Sequence, residues 1–288
     1  MKKHFIKKVF KKLLLLRKNN HNLDYESCKE FNFESLSFSE LESLFEKTAY
    51  YWRNTGSDPK NIYWSVLSLE EFKNKELDES EIKRFLDSGF YDIDRIEKIC
   101  NIVGFNLKEC KEFLDFGCGV GRVVVNLPKT IKKVNCVDFS PAHLKEATNN
   151  LKNYSKNKDY STHLISSLND IKNLPKNQDM IHSFIVLQHN TPPVIEKIVG
   201  TLLSILSPGG IAILHIPLAS NNYKFDVKKY LQSKTSGKSM EMHILPKSNI
   251  FKLAKENSCQ IKYSFCDGGC AGHIYSEMVV FQKEKLNS

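Results

Sequence analysis

Three glycines alternate with Cys118 and Val120 directly after an apolar run, in the order Phe113-Leu114-Asp115-Phe116-Gly117-Cys118-Gly119-Val120-Gly121-Arg122. A strand that runs into Gly117, Gly119 and Gly121 lets the backbone come close to a ligand where any Cβ would clash, as in the nucleotide-binding turns of Rossmann-like sheets. A dinucleotide fingerprint spaces its glycines as G-x-G-x-x-G, and here Arg122 stands where the last glycine belongs. Asp115, two residues ahead of the first glycine, would repel a pyrophosphate and suits a ligand with a positive group. A second acid, Asp138, closes the run Val134-Asn135-Cys136-Val137 and can accept two hydrogen bonds from a ribose diol. His189 and His215 fall at the ends of two later apolar runs, on the sheet edge where ligands of open α/β folds bind. Both are candidates for a general base. His182, inside a run, reads as structural; His243 and His273 are weaker candidates.

The elements that must position these residues can be read from periodicity. From residue 112 onward, short apolar runs at 113–116, 134–137, 163–165, 180–186 and 211–216 alternate with helical stretches near 122–127, 141–153 and 192–206. Strands separated by helices require right-handed crossovers and give an α/β, doubly wound Rossmann-like sheet. Pro192 and Pro193 suit a helix start, and Ser207-Pro208-Gly209-Gly210 its end. A polar stretch at 219–243, a helix near 248–257 and two final strands at 260–266 and 274–282 complete the chain. Before residue 105 the text is mostly helical. Ser37 with Glu40 and Ser68 with Glu71 form capping boxes, Asp78 is a third cap, and Gly104 is a stop. The expected organisation is a basic arm and linker (1–22), a helical lobe or lid (23–105) and an α/β domain (106–288). In that domain 219–243 is an insertion near the ligand pocket. Tyr50, Tyr51, Trp52 and Trp64 read as a small aromatic core and as secondary candidates for a lid.

Four segments together resemble the class I S-adenosylmethionine-dependent methyltransferases. They are Asp115-Phe116-Gly117-Cys118-Gly119-Val120-Gly121, Val137-Asp138-Phe139-Ser140, the Asp179 strand leading to Val186-Leu187-Gln188-His189, and Leu206-Ser207-Pro208-Gly209-Gly210. The resemblance implies S-adenosyl-L-methionine as methyl donor. Gly117, Cys118, Gly119 and Gly121 would allow its close approach, Asp115 would lie near its methionine portion, Asp138 would bind its ribose, and Phe139 would pack near adenine. Ser167 and Leu168, in the loop after the third strand, would border the adenine, although the acid common in that loop is missing from Ser166-Ser167-Leu168-Asn169. Ile185 is counted with the donor contacts. The same element of the family carries a histidine where His189 stands. The layout is similar to methyltransferases found among bacterial surface-polysaccharide genes. That similarity implies O-methylation of a small-molecule or carbohydrate acceptor, including a phosphate-type one.

Charge separates the body from the arm. The formal net charge is +9, but residues 1–20 hold eight basic residues and no acid. The remaining body is nearly neutral, so a nucleic-acid partner is not expected. Phe5, Ile6, Val9, Phe10, Leu13 and Leu14 share one helical face with lysines on the other sides. Residues 3–17 could therefore lie on an anionic membrane or pack on the body. No run reaches the roughly 20 apolar residues of a membrane span, and eight scattered cysteines suit a reducing, cytoplasmic setting. Cys266, Cys270 and His273 lack a second ligand pair, so no metal is expected. Two other classes stay open. One is a binding protein with this fold and no turnover. The other is an RNA or protein methyltransferase; the neutral body and the lack of an Asn-Pro-Pro-Tyr or Asp-Pro-Pro-Tyr element after the fourth strand disfavour RNA. The 219–243 stretch carries five lysines against Asp226 and Glu241, which reads as a solvated loop or as an attraction for an anionic acceptor.

Overall fold

The computed structural model describes residues 31–267, 270 and 274–285. The basic arm, its linker and His273 lie outside the described residues. Four helices come first: α1 (Phe38–Ser57), α2 (Ile62–Val66), α3 (Glu79–Asp87) and α4 (Phe90–Val103). Ser37 with Glu40 and Asp78 with Glu81 each close a reciprocal capping box, which satisfies donors that the first helical turn leaves unpaired. Gly104, at φ 71°, ends α4 in the left-handed region and returns its N–H to the Cys100 carbonyl. The box expected at Ser68 does not form. Leu69 caps a short 3₁₀ turn, Glu70–Phe72, because Leu69 and Phe72 both turn into the core and a 3₁₀ turn brings residues three apart onto one side.

Seven strands then form one sheet: β1 (Glu112–Phe116), β2 (Lys133–Asp138), β3 (Tyr160–Leu164), β4 (Gln178–Ser183), β5 (Leu206–Ser220), β6 (Cys259–Cys266) and β7 (Ile274–Lys283). Their order is β3-β2-β1-β4-β5-β7-β6. The first five are parallel, and β7 runs antiparallel to both β5 and β6. The crossovers carry α5 (Pro141–Tyr154), α6 (Leu168–Lys172) and α7 (Pro192–Ser204); α8 (Val227–Gln232) and α9 (Lys247–Glu256) lie between β5 and β6. The strand order reverses beside β1, so a crevice opens at the carboxyl ends of β1 and β4.

Three expectations change in detail. The stretch 122–127 is a turn with only a 3₁₀ segment, Val124–Asn126, rather than a helix. Gly121 at φ 83° delays any helical start, Pro128 limits the other end, and the three valines between are β-branched. Ser207-Pro208-Gly209-Gly210 does not end a helix but begins β5, where Leu206 pairs with Gln178 and the register slips before Met180. Finally, β4 stops at Ser183, because Ile185 turns to φ 57°.

The lobe has no core of its own. Phe72, Phe85, Ile96 and Ile99 pack in one cluster with Phe113, Val134 and Met180 on one face of the sheet. On the other face Leu44, Phe45 and Ala49 of α1 join the α7 and α9 side chains. The helices that precede the sheet therefore clamp both of its faces, and this brings them over its carboxyl edge. Among the described residues no helix is long and apolar enough to cross a membrane.

Candidate functional site

A cavity of about 750 Å³ lies at that edge, roofed by the lobe. Its size is within the roughly 300–1,000 Å³ of small-molecule sites. The glycine loop forms one wall. Gly117 and Cys118 donate to the Val137 carbonyl, which ties the loop to β2. Gly117 sits at φ 79°, and a Cβ there would strike Val186; Gly119 sits at φ 53°, and a Cβ there would stand 2.5 Å from Val66 of the lobe. The loop is thus pressed between the β4 turn and α2, and only glycine fits at these two positions. Gly121 shapes the turn without lining the cavity.

Asp138 is prepared as an acceptor of hydrogen bonds. Its Oδ2 takes the Gly119 N–H at 2.8 Å and its Oδ1 the Ser140 N–H at 2.9 Å, with His143 Nδ1 at 3.6 Å. Burial alone would raise its pKa; the His143 hydrogen bond and charge, with the two backbone donors, hold it below the usual carboxylate value. An ionised carboxylate has about four lone-pair directions, so room remains for a diol. Phe139 lines the cavity, braced edge-on by Phe45 and Phe116. Cys118 lines it as a neutral thiol, pushed well up in pKa by Cys136 and by burial.

Parallel register explains a contact that the sequence did not disclose. Asp115 on β1 stands opposite His182 on β4, and His182 Nδ1 meets Asp115 Oδ1 at 2.8 Å. Both residues line the cavity, so His182 is part of the site and not only of the strand. Beside them Asp92 of α4 pairs with Arg95 and with Arg122, the latter at 2.6 Å. Burial would raise the Asp92 pKa, but the two guanidiniums keep it lowered. Two cations against one anion leave this buried group with one positive charge in excess, and the Nε atoms of both arginines have no partner among the described residues.

The two candidate bases part company. His189 lines the cavity at the turn after β4, with the Trp52 ring of α1 tilted against it at 4.8 Å between centroids. Its Nδ1–H donates to the Glu241 carbonyl at 2.9 Å, which leaves the lone pair on Nε2. Burial lowers its pKa to about 4, so the ring is neutral at physiological pH. His215 does not line the cavity. It is fully buried beneath it, 3.3 Å from Asp267 and 3.9 Å from the Cys270 sulfur. Burial would depress its pKa, yet the Asp267 charge overrides this and holds it up to about 10. A histidine already protonated cannot take a proton, which removes His215 as a base.

Ser167 and Leu168 also fall elsewhere. Ser167 caps α6 in a box with Asp170, and the Leu168 N–H donates to the Glu42 carboxylate of α1. Neither lines the cavity, because the lobe occupies the ground that the loop after β3 was expected to cover. Arg53 of α1 seals this join, donating to the Phe139 and Ser166 carbonyls. Ile185 lines the cavity in its strained left-handed conformation. His243 binds Tyr223 and Glu241 away from the cavity. Of the aromatic bunch only Trp52 lines it. Met240 and Met242 bring the 219–243 stretch to the cavity, but its five lysines are exposed and do not line it. Among the described residues no group of three or more His, Cys, Asp or Glu could hold a metal ion.

Comparisons agree with this geometry. Residues 113–210 match the model of a methyltransferase domain. No curated protein matches the sequence. Among solved structures, magnesium protoporphyrin IX methyltransferase of Synechocystis PCC 6803 with bound S-adenosylhomocysteine aligns over 81% of this chain and 98% of its own. Its TM-score is 0.53 at 17% identity. The N-methyltransferase NodS of Bradyrhizobium japonicum WM9, also with S-adenosylhomocysteine, aligns over 82% and 98% with a TM-score of 0.51 at 12% identity. A methyltransferase of Leishmania major aligns over 82% of each chain with a TM-score of 0.53 at 15% identity. Residues 113–210 thus match a methyltransferase domain, and the chain as a whole shares the fold of S-adenosylmethionine-dependent methyltransferases.

Proposed function

We propose that the chain methylates a hydroxyl group of a small-molecule acceptor, with His189 taking the hydroxyl proton on Nε2. S-adenosylmethionine supplies a methyl group activated on a sulfonium centre. The residues fit that donor: Gly117 and Gly119 bring the loop to the cavity wall, Asp138 would hold its ribose diol, and Phe139 would pack on its adenine. The excess charge at Asp92, Arg95 and Arg122 suits its carboxylate, and Asp115 its amino group. The observation that carries the hydroxyl reading is the fixed tautomer of His189, whose Nδ1 is tied to a carbonyl while its ring lines the cavity. A neutral, oriented imidazole can accept a proton as the oxygen attacks, and alignment of the two reactants supplies much of the rate.

A carbohydrate acceptor, such as a surface-polysaccharide sugar, is favoured by the aromatic side chains Trp52, Tyr91, Tyr263 and Phe265 in the cavity wall, each a flat apolar face with polar groups near it. The basic arm at 3–17 would then hold the enzyme at the inner membrane surface, where such sugars are assembled.

Thermal unfolding with excess S-adenosylhomocysteine tests the reading, with NAD as control. At a hundred times its Kd the ligand adds about 2.7 kcal/mol to the native state. Stabilisation by S-adenosylhomocysteine and not NAD, with methyl transfer to hydroxyl acceptors that His189→Gln loses, supports it. Stabilisation with no turnover on any acceptor points to a binding protein, and transfer to RNA or protein points to those substrates instead.

A further inference from the structure

The turn after β4 holds two buried polar atoms that the donor reading does not use. Gln188 and Asn190 flank His189, and all three residues are among those that line the cavity. Gln188 is fully buried; its Oε1 accepts from the Cys270 thiol at 3.7 Å, while its Nε2 has no partner among the described residues. Asn190 is 1% exposed; its Nδ2 donates to the Val186 carbonyl at 3.2 Å, while its Oδ1 has no partner. That bond sets the amide's orientation, because reversing it would turn two carbonyl oxygens toward each other. Leaving a buried polar group unsatisfied costs about 1–3 kcal/mol, so a pair of them beside the candidate base calls for a ligand that satisfies both.

Resting on the hydroxyl reading above, we propose that Gln188 and Asn190 select the acceptor, and that the acceptor is a neutral molecule with at least two neighbouring hydroxyl groups. The chemistry of the three atoms decides this. Gln188 Nε2 must donate and Asn190 Oδ1 must accept. A hydroxyl does both at once, whereas a carboxylate or phosphate only accepts and an ammonium only donates. His189 Nε2 accepts from a different hydroxyl, the one that is methylated, so two are needed. The electrostatics point the same way. Lys98, which lines the cavity, pairs with Asp94 at 2.6 Å, and the excess charge of Arg95 and Arg122 beside Asp92 is the one assigned above to the donor's carboxylate. An anionic acceptor beside His189 would find no spare lysine or arginine among the described lining residues on that side.

Such a pair of hydroxyls could come from a sugar or from an aromatic diol, and the experiment separates them. Binding to the protein saturated with S-adenosylhomocysteine is measured by calorimetry for methyl α-glucopyranoside, glucose 6-phosphate, catechol, phenol and phenyl phosphate. We expect one of the two neutral diols to bind. Its partner lacking the second hydroxyl, or carrying the phosphate, should bind at least about tenfold more weakly. Gln188→Met, which keeps the side-chain volume, should weaken the diol about tenfold and leave phenol unchanged. Asn190→Asp, which keeps an acceptor oxygen, should retain diol binding that Asn190→Leu loses. Equal binding of phenol and catechol, tighter binding of a phosphate than of its neutral parent, or failure of both diols to bind a protein that holds S-adenosylhomocysteine overturns the proposal. Failure of S-adenosylhomocysteine itself to bind would instead overturn the donor reading.

Discussion

On the glycine-loop side of the cavity the groups offered to a ligand are held by the backbone: Asp138 is fixed by the N–H groups of Gly119 and Ser140, and the loop itself by the Val137 carbonyl. On the opposite side they are side chains gathered from distant segments, with Trp52 of α1 on His189, His189 on the Glu241 carbonyl, and Gln188 on Cys270. The first side carries charge, in Asp115, Asp138 and the Asp92 group. The second places a neutral imidazole and two amides against apolar walls. A charged, backbone-held wall suits a ligand that never changes, and the side-chain wall can be altered without disturbing it. The two histidines sharpen the contrast, since burial without a carboxylate lowers His189 to about 4 while Asp267 raises His215 to about 10.

His189→Gln tests this division most strongly. Methyl transfer should fall by about 10²–10⁴-fold, the usual worth of a general base, while S-adenosylhomocysteine affinity stays as in the wild type. Equal loss of both in a titration would mean the two sides are not separable. The wild-type rate should also stay flat from neutral pH down to about 5 and drop as His189 protonates near 4; a break near 6.5 would contradict its depressed value.

Asp138→Asn should do the reverse. Hydrogen bonds to a charged group are worth about 1.5–3 kcal/mol, so S-adenosylhomocysteine should bind roughly 10- to 100-fold more weakly by calorimetry. Binding of the acceptor should be spared. Gly119→Ala should follow at about tenfold, since a side chain at φ 53° costs about 1–2 kcal/mol before its contact with Val66 is counted.

A separate effect, on folding and not on binding, is a slope of stability against pH. His215, raised to about 10 in the native state, contributes stability that is complete below the unfolded value near 6.5 and is lost as pH rises toward 10. His189, depressed to about 4, contributes stability above 6.5 that is lost as pH falls through 4. Urea unfolding of His215→Gln should show a flatter loss between pH 7 and 10 than the wild type, and His189→Gln should not.

The glycine wall was legible in the sequence because it is made of neighbours: Gly117 and Gly119 act through local φ angles, and Asp138 reaches the next loop from the end of its own strand. The capping box at Ser37 and the cap at Asp78 were legible for the same reason. The 122–127 stretch reads as a helix but is a turn, because Gly121, three β-branched valines and Pro128 compete within eight residues.

What the sequence determined by itself was the alternation of strands and helices, the place of the glycine turn and the acid that follows it, because each depends on residues within a few positions of one another. Tertiary structure decided which histidine lines the cavity. His189 and His215 both end apolar runs, and only the lobe's Trp52 and the Glu241 carbonyl on one, and Asp267 beneath the other, make one neutral and the other charged. Strand register put His182 beside Asp115, and the packing of α4 against the sheet put Asp92 between two arginines. A pKa is set by the charges and desolvation around a group in space, and partners tens of residues apart leave no periodic mark in the chain.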